Sequence, residues 1–531
     1  MQPVFLITKI ENKISCFFRS NPRSIVLTNS GSLQIDADED RRTRNVRPAA
    51  WKNITPSDRY DLVVIGGGTA GLVSAAGAAG LGARVALIER NFLGGDCLNT
   101  GCVPSKALLH SARVAAAFSK AAESGVQSES VPEVDFPAVM QRMRRLRAKI
   151  SENDSAERFS RLGVDVLFGT AEFTGPKSVS VEGTQIAFKR AILATGARPR
   201  MPTIPDLKKN NVLTSENVFS LDTLPARLGI IGGGPIGCEL AQAFARFGSA
   251  VTLLHSKTGI LPREDPDAAA IITSALQRDG VKIVCEAKNI DFHQHAESVR
   301  ISFGHSPRNL SFDVDRVLFA TGRKPNIEGL NLEAAKVCYD PDRGVDVDDR
   351  LRTTNCRIFA AGDVCSKFKF THAADALARI AVGNALLGLR GRASRLHIPW
   401  STYTSPEIAQ IGIEPWSAAQ QGVKFDSLMQ SFEEIDRCVL DGETEGFVKL
   451  YVRPHSDKII GGTIVGKRAG ELIGILSLAM TNNIGLKKMA GTIFPYPTES
   501  EVFRRLGDKY NRSRLTPTVK RLLSQWISWR R

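Results

Sequence analysis

Two stretches of this chain repeat one pattern, and that repeat narrows the fold more than any other feature. Asp61-Leu-Val-Val-Ile-Gly66-Gly-Gly68-Thr-Ala-Gly71 leads to Arg84-Val-Ala-Leu-Ile-Glu89. Leu228-Gly-Ile-Ile-Gly232-Gly-Gly234-Pro-Ile-Gly237 leads to Ala250-Val-Thr-Leu-Leu-His255. In both, the first glycine lies 23 residues before the residue that ends the second apolar run. Each copy reads as strand, tight turn, Ala-rich helix and second strand. A lone Gly-x-Gly-x-x-Gly is weak, but inside a βαβ unit of this length it marks a dinucleotide site. The first glycine permits the turn, the second lets backbone approach a pyrophosphate at the helix N-terminus, and the third lets helix pack on strand. The 22 uncharged residues from Leu62 to Ala83 could be mistaken for a membrane span, but seven are glycine, so this is a strand and a turn rather than a lipid-facing helix. With 531 residues there is room for two to four domains. The expected class is α/β, with two Rossmann-like domains.

The copies differ where the ribose would lie. Glu89 can accept hydrogen bonds from a 2′-hydroxyl, which suits FAD or NAD. His255 takes that place in the second copy, followed by Ser256 and Lys257. No carboxylate stands there to repel a 2′-phosphate, so NADP is expected over NAD. Two sites in one chain imply hydride traffic from nicotinamide to flavin. Two further strand-then-glycine turns fit that scheme, Ala194-Thr195-Gly196 and Ala320-Thr321-Gly322. So does Gly362-Asp363, where the acid reads either as a helix N-cap or as a carboxylate on a flavin ribityl hydroxyl.

Gly94-Gly95-Asp96-Cys97-Leu-Asn-Thr-Gly101-Cys102-Val-Pro104-Ser-Lys106 is the sharpest local signal. Pro104 favours a helix beginning there, and a helix N-terminus lowers a thiol pKa. A metal site would need further ligands, and the only close histidine is His110. Nine cysteines, most of them widely spaced, do not make a disulfide scaffold. The pair therefore reads as a redox-active dithiol, and no metal-ligand set is expected.

Net charge is +15, with 70 Lys and Arg against 55 Asp and Glu, and much of the excess lies at the ends. Residues 1–60 carry ten basic and six acidic residues; residues 504–531 carry nine and one. A near-neutral middle argues against a nucleic-acid groove. The Ser- and Arg-bearing start reads as an organelle transit or disordered segment, with the chloroplast favoured over the mitochondrion. Val519, Leu522, Leu523 and Trp526 recur at helical spacing among basic residues. That pattern suits either packing on a dimer or peripheral contact with an anionic membrane.

With these motifs in order, residues from about 60 to 508 resemble the FAD-dependent pyridine nucleotide–disulfide oxidoreductases, which include dihydrolipoamide dehydrogenase, glutathione reductase and mercuric reductase. The resemblance implies an FAD domain at 59–215, an NAD(P) domain at 216–340, a return segment at 341–395 and an α+β dimerisation domain at 396–510 forming a homodimer. Outside it lie the transit or disordered segment at 1–58 and the basic amphipathic tail at 511–531. It implies that Cys102 faces the flavin as thiolate while Cys97 exchanges with substrate, that Lys106 lies near the flavin, and that Asp363 binds the ribityl chain. Disulfide-reducing members carry a catalytic histidine paired with a glutamate five residues later. Here Tyr496 replaces that histidine and Glu501 keeps the acid position. The tyrosine resembles mercuric reductase, yet the last cysteine is Cys438, so the vicinal C-terminal pair of mercuric reductases is absent. The expected activity is NADPH oxidation with a small-molecule or metal-ion electron acceptor. The alternatives are a disulfide reductase of the dihydrolipoamide dehydrogenase or glutathione reductase type using another acid, such as His372, and a non-turnover redox sensor or membrane-docked interaction protein.

Overall fold

A run of apolar residues without alternation belongs to a strand covered on both faces, and Leu62-Val-Val-Ile65 is such a run. The computed structural model describes residues 25–27, 33–119, 121–127, 133–204, 207–305, 308–414, 418 and 422–531. In it the Arg59–Ile65 strand lies inside a seven-stranded sheet, paired in parallel with Val85–Glu89 and Thr184–Leu193. Val164–Phe168 extends the parallel edge, and the antiparallel strands Ser178–Val181 and Ala171–Gly175 extend the other. The Thr69–Gly80 helix covers one face together with Thr371–Leu387, a helix from far along the chain.

The second glycine copy builds a five-stranded parallel sheet, ordered Val212–Leu213, Arg316–Phe319, Arg227–Ile231, Ala250–Leu254, Lys282–Val284. A three-stranded antiparallel sheet, Lys288–His295 to Arg308–Val314, packs on it through Ile301 and Val314. This unit is an insertion. The chain leaves the first domain along Ala197–Pro199 and returns antiparallel beside it along Arg323–Pro325. Ile327, Leu330, Leu332, Ala335 and Val337 then pack into the core of the first domain. The inserted domain therefore runs from about residue 200 to 322, not 216 to 340, because the crossing pair rather than the glycine motif sets its edges. Ile358–Ala360 pairs in parallel with Thr184–Leu193, so the return segment completes the first sheet.

The C-terminal domain is a five-stranded antiparallel sheet, ordered Trp400–Thr402, Glu407–Gly412, Ile459–Gly466, Phe447–Val452, Asp426–Ser431. The Ala469–Thr481 and Glu501–Ser513 helices share its core. Beyond them the Pro517–Trp529 helix is exposed along its whole length. Among the described residues no helix is long and apolar enough to cross a membrane.

The segment expected to be transit or disordered over 1–58 is ordered from Asp36 onward. Asp36 caps the Ala37–Val46 helix, accepting from the Asp38 and Glu39 amides at 3.0 and 3.2 Å. Glu39, Arg42 and Val46 are buried against the first domain. Residues 1–24 and 28–32 of that segment lie outside the described residues.

Candidate active site

The two glycine turns solve one packing problem in one way. Gly66 sits at φ +106°, and a Cβ there would lie 2.4 Å from the Ala194 carbonyl oxygen; Gly232 sits at φ +117°, with Ala320 in the same role at 2.4 Å. The alanine of each Ala-Thr-Gly run thus closes against the first glycine of its own domain. A Cβ on Gly71 or Gly237 would meet the Gly66 or Gly232 oxygen at 1.7 or 1.9 Å, which fixes helix against strand. Around Gly234 nothing lies within 4 Å of an added Cβ, so backbone there is open to a ligand.

The residues at the ends of the second strands also correspond. Glu89 accepts from the Gly67 amide at 2.6 Å and from Asn91 at 2.6 Å, and burial pushes its carboxyl up despite those bonds. His255 Nδ1 accepts from the Gly233 amide at 3.2 Å. That bond leaves the proton on Nε2, which is buried without a partner, and burial lowers the pKa of the ring, with Lys257 adding to the effect. A neutral imidazole therefore stands where the first copy has a carboxylate.

A cavity of about 1400 Å³ runs between the domains. Gly66, Gly68, Glu89, Thr195, Gly196, Gly322, Asp363, Lys106 and both cysteines line it. His255 and Lys257 do not line it. Asp363 is not a helix cap. Its carboxylate faces Arg323 at 3.6 Å, and burial raises its pKa against the pull of Arg323 and Lys369. Arg323 also pairs with Asp96, and its Nε is buried without a hydrogen-bond partner. A glycine turn at one end, polar groups along the wall and a thiol at the other end fit FAD. Gly66, Gly68, Glu89 and Asp363 would hold it, with Gly71 only seating the helix behind them.

Cys97 lies in the short Gly95–Asn99 helix and Cys102 opens the Cys102–Ser119 helix; both are free thiols. Each is the largest influence on the other's ionisation. For Cys102 the neighbouring Cys97 thiol comes first, followed by opposing burial, the Thr371 hydroxyl 3.4 Å away and the Lys106 charge; together they lower its pKa to about 6. Cys97 is pushed up in turn, by the charge on Cys102 and by burial. At neutral pH the reduced pair is a thiolate at Cys102 and a thiol at Cys97, which are the states required for charge at one sulfur and a proton at the other.

Several partners carry no local sequence signal. Lys106 Nζ bonds Glu239 Oε2 at 2.9 Å and lies 4.6 Å from the Tyr403 ring centroid. Glu239 Oε1 accepts from the Tyr403 amide at 2.8 Å. Glu239 belongs to the inserted domain and Tyr403 to the C-terminal one, so a single buried carboxylate ties three domains beside the cysteines. Asp154, pushed up to about 6 by burial, opposes ionisation of Cys97 when charged.

The C-terminal pair behaves differently from the expectation that Glu501 serves residue 496. Tyr496 is 70% exposed, its hydroxyl donates to Asp436 Oδ2 at 2.9 Å, and that bond raises its pKa. Glu501 Oε1 accepts from Arg504 and Arg505 at 2.7 and 3.3 Å, while Oε2 is buried and unpaired. Within one protomer neither residue lines the cavity. His372 does, but its Nε2 donates to the Pro399 carbonyl at 2.6 Å.

Comparison with known proteins agrees with this geometry. The family described as pyridine nucleotide-disulphide oxidoreductase matches residues 60–378, and its dimerisation domain matches residues 398–506. The chain is 33% identical to the mercuric reductase of Lysinibacillus sphaericus over 444 residues, 84% of this chain and 81% of that one. It is 32% identical to the dihydrolipoyl dehydrogenase of Chlamydia muridarum over 452 residues, 84% and 96% of the two chains. Among solved structures, the HOCl-induced flavoprotein disulfide reductase RclA from Escherichia coli aligns with TM-score 0.74 and 30% identity, covering 85% of this chain and 99% of that one. RclA has also been solved as a Cu(II) complex. The chain therefore belongs to the pyridine nucleotide-disulphide oxidoreductase family, as an FAD-dependent, dimer-forming enzyme similar to mercuric reductase.

Proposed function

We propose that this enzyme oxidises NADPH and delivers the electrons, through the Cys97/Cys102 pair, to a thiophilic metal ion rather than to glutathione disulfide or lipoamide. FAD, when bound, supplies two-electron exchange between the nicotinamide and the cysteine pair. The chain itself holds charge and protons in place. The reduced pair rests as Cys97 thiol and Cys102 thiolate; acceptor reduction re-forms the disulfide, releases two electrons and frees the Cys97 proton. One two-electron acceptor or two one-electron ions balance the step.

Tyr496 carries this reading. Reducing a disulfide substrate requires a proton for each departing thiolate, and imidazole, titrating near ~6.5, supplies it where a phenol near ~10 does not. The hydrogen bond to Asp436 pushes the phenol further from that role. His372 is a poor substitute, because its Nε2 proton is committed to Pro399. A metal ion passed between thiolates needs no such proton. The mercuric reductase relatives and the Cu(II) complex of RclA support the same acceptor class. NADPH is proposed over NADH because the neutral His255 cannot repel a 2′-phosphate.

Steady-state NADPH oxidation with Hg(II) or Cu(II), compared with glutathione disulfide and lipoamide, tests the proposal. The metals should turn over faster. Tyr496→His should raise disulfide turnover by about tenfold or more, as a partial recovery of the roughly 10²–10⁴-fold that general acid–base help supplies. Rapid turnover of a common disulfide by the wild type at neutral pH would overturn it.

A further inference from the structure

Every residue from 511 to 531 is exposed, yet the Pro517–Trp529 helix is strongly two-faced. At about 100° per residue, Val519, Leu522, Leu523, Trp526, Ile527 and Trp529 fall within one half of its circumference. Lys520, Arg521, Ser524, Gln525 and Ser528 fall on the other half. The helix starts by its own signals: Pro517 follows the cap, and Thr516 Oγ1 accepts from the Val519 amide at 3.3 Å. Thirteen residues are marginal as an isolated helix in water, and this one exposes Trp529 by 82% and Leu522 by 60%. The family match to the dimerisation domain stops at residue 506, so the segment is an addition to the shared fold.

We infer that this helix docks the protein on an anionic lipid bilayer. The charge decides between occupants. Residues 509–531 contain seven Lys and Arg and no Asp or Glu. Pairing with the same helix of a second copy would set two positive segments against each other and repel. A neutral apolar surface would cover the apolar face and leave the basic flanks unanswered. An anionic bilayer satisfies both: acyl chains take the apolar half, headgroups take the Lys and Arg, and the amphipathic indoles sit at the boundary. Arg530 already lies over Trp526, 4.9 Å from its ring centroid, which puts cation and indole at one edge. The inference does not depend on which acceptor the enzyme uses.

Flotation of the full-length, FAD-loaded enzyme tests it, with neutral phosphatidylcholine vesicles compared against vesicles enriched in phosphatidylglycerol. The enzyme should float with the anionic vesicles only, release on adding salt, and show blue-shifted tryptophan emission when bound. Each basic residue is worth on the order of fivefold in binding near such a surface, so Lys520→Glu with Arg521→Glu should weaken it at least tenfold. Leu523→Asp should abolish it, while turnover of soluble acceptors stays unchanged in both variants. Equal binding to neutral vesicles, no binding, or binding insensitive to these variants would overturn the inference. So would a tail-dependent increase in oligomeric size without lipid, since a second copy would then cover the face.

Discussion

At Cys102 a hydrogen bond, a hydroxyl and an ammonium act on one sulfur, and each comes from a different distance along the chain. Cys97 is five residues away and Lys106 one helical turn away, so both are visible in a short motif. Thr371 and Glu239 are isolated residues with nothing around them to announce a role, and only folding brings them to the thiol. The glycines were legible for the same reason as the cysteines: their function is local backbone geometry. His255 was legible as the missing carboxylate, whereas its bond to the Gly233 amide and the resulting neutral tautomer required the fold. Two predictions belong here. In a Cys97→Ser variant, whose hydroxyl can still donate to Cys102, the thiolate absorbance of Cys102 should persist at pH 7 and be lost as pH falls through about 6. Adding Lys106→Met should move that midpoint upward by about one unit, the low end for loss of a nearby opposite charge; no movement would remove Lys106 from the account. At the other nucleotide site, His255→Glu should shift preference from NADPH towards NADH by about 1–3 kcal/mol in kcat/KM, the scale of a charged hydrogen bond gained or lost. A wild-type preference for NADH would contradict the assignment.

The Ala37–Val46 helix shows how charge can mislead at the level of an element. The basic excess of the first sixty residues reads as a transit segment, yet Asp36 followed by Asp38, Glu39 and Asp40 is a helix start with an acidic first turn. The local signal and the composition of the segment point in opposite directions. What the sequence could not show is the partner: Glu39 pairs with Arg42 and with Arg147, a residue from the Phe136–Ile150 helix. Arg42 and Arg147 in turn bond the Asn99 side chain and carbonyl at 2.5 and 2.8 Å, so the element braces the end of the short helix that carries Cys97. Burial alone would raise the Glu39 carboxyl, but Arg147 and then Arg42 hold it below its usual range. A depressed carboxyl contributes stability above its unfolded pKa of about 4.3 and loses it as pH falls through the folded value. Glu39→Ala should therefore cost about 3–5 kcal/mol in denaturant unfolding near neutral pH, the scale for breaking a buried pair on one side. A change below about 1 kcal/mol would show that the network is solvated and does not brace that helix end.

Across the whole molecule, the domain order was readable because each domain carries its own periodic signal: two glycine turns, then a run of short strands. The boundaries were not, because they rest on the pairing of Ala197–Pro199 with Arg323–Pro325, two three-residue strands without a pattern of their own. Nor could the sequence place Glu239 where three domains meet. That junction sets the inserted nucleotide domain, the cysteine helix and the C-terminal domain in fixed relation, and with FAD bound the subunit should hold electrons at both the flavin and the cysteine pair. Anaerobic titration of the FAD-loaded homodimer with NADPH counts them directly. Because a disulfide is a two-electron couple, the wild type should take up about two two-electron equivalents per subunit, while Cys97→Ser and Cys102→Ser should each take up about one. A wild type whose flavin is fully reduced by the first equivalent and that takes up no more, as in the variants, would contradict this, since the cysteine pair would then lie outside the electron path.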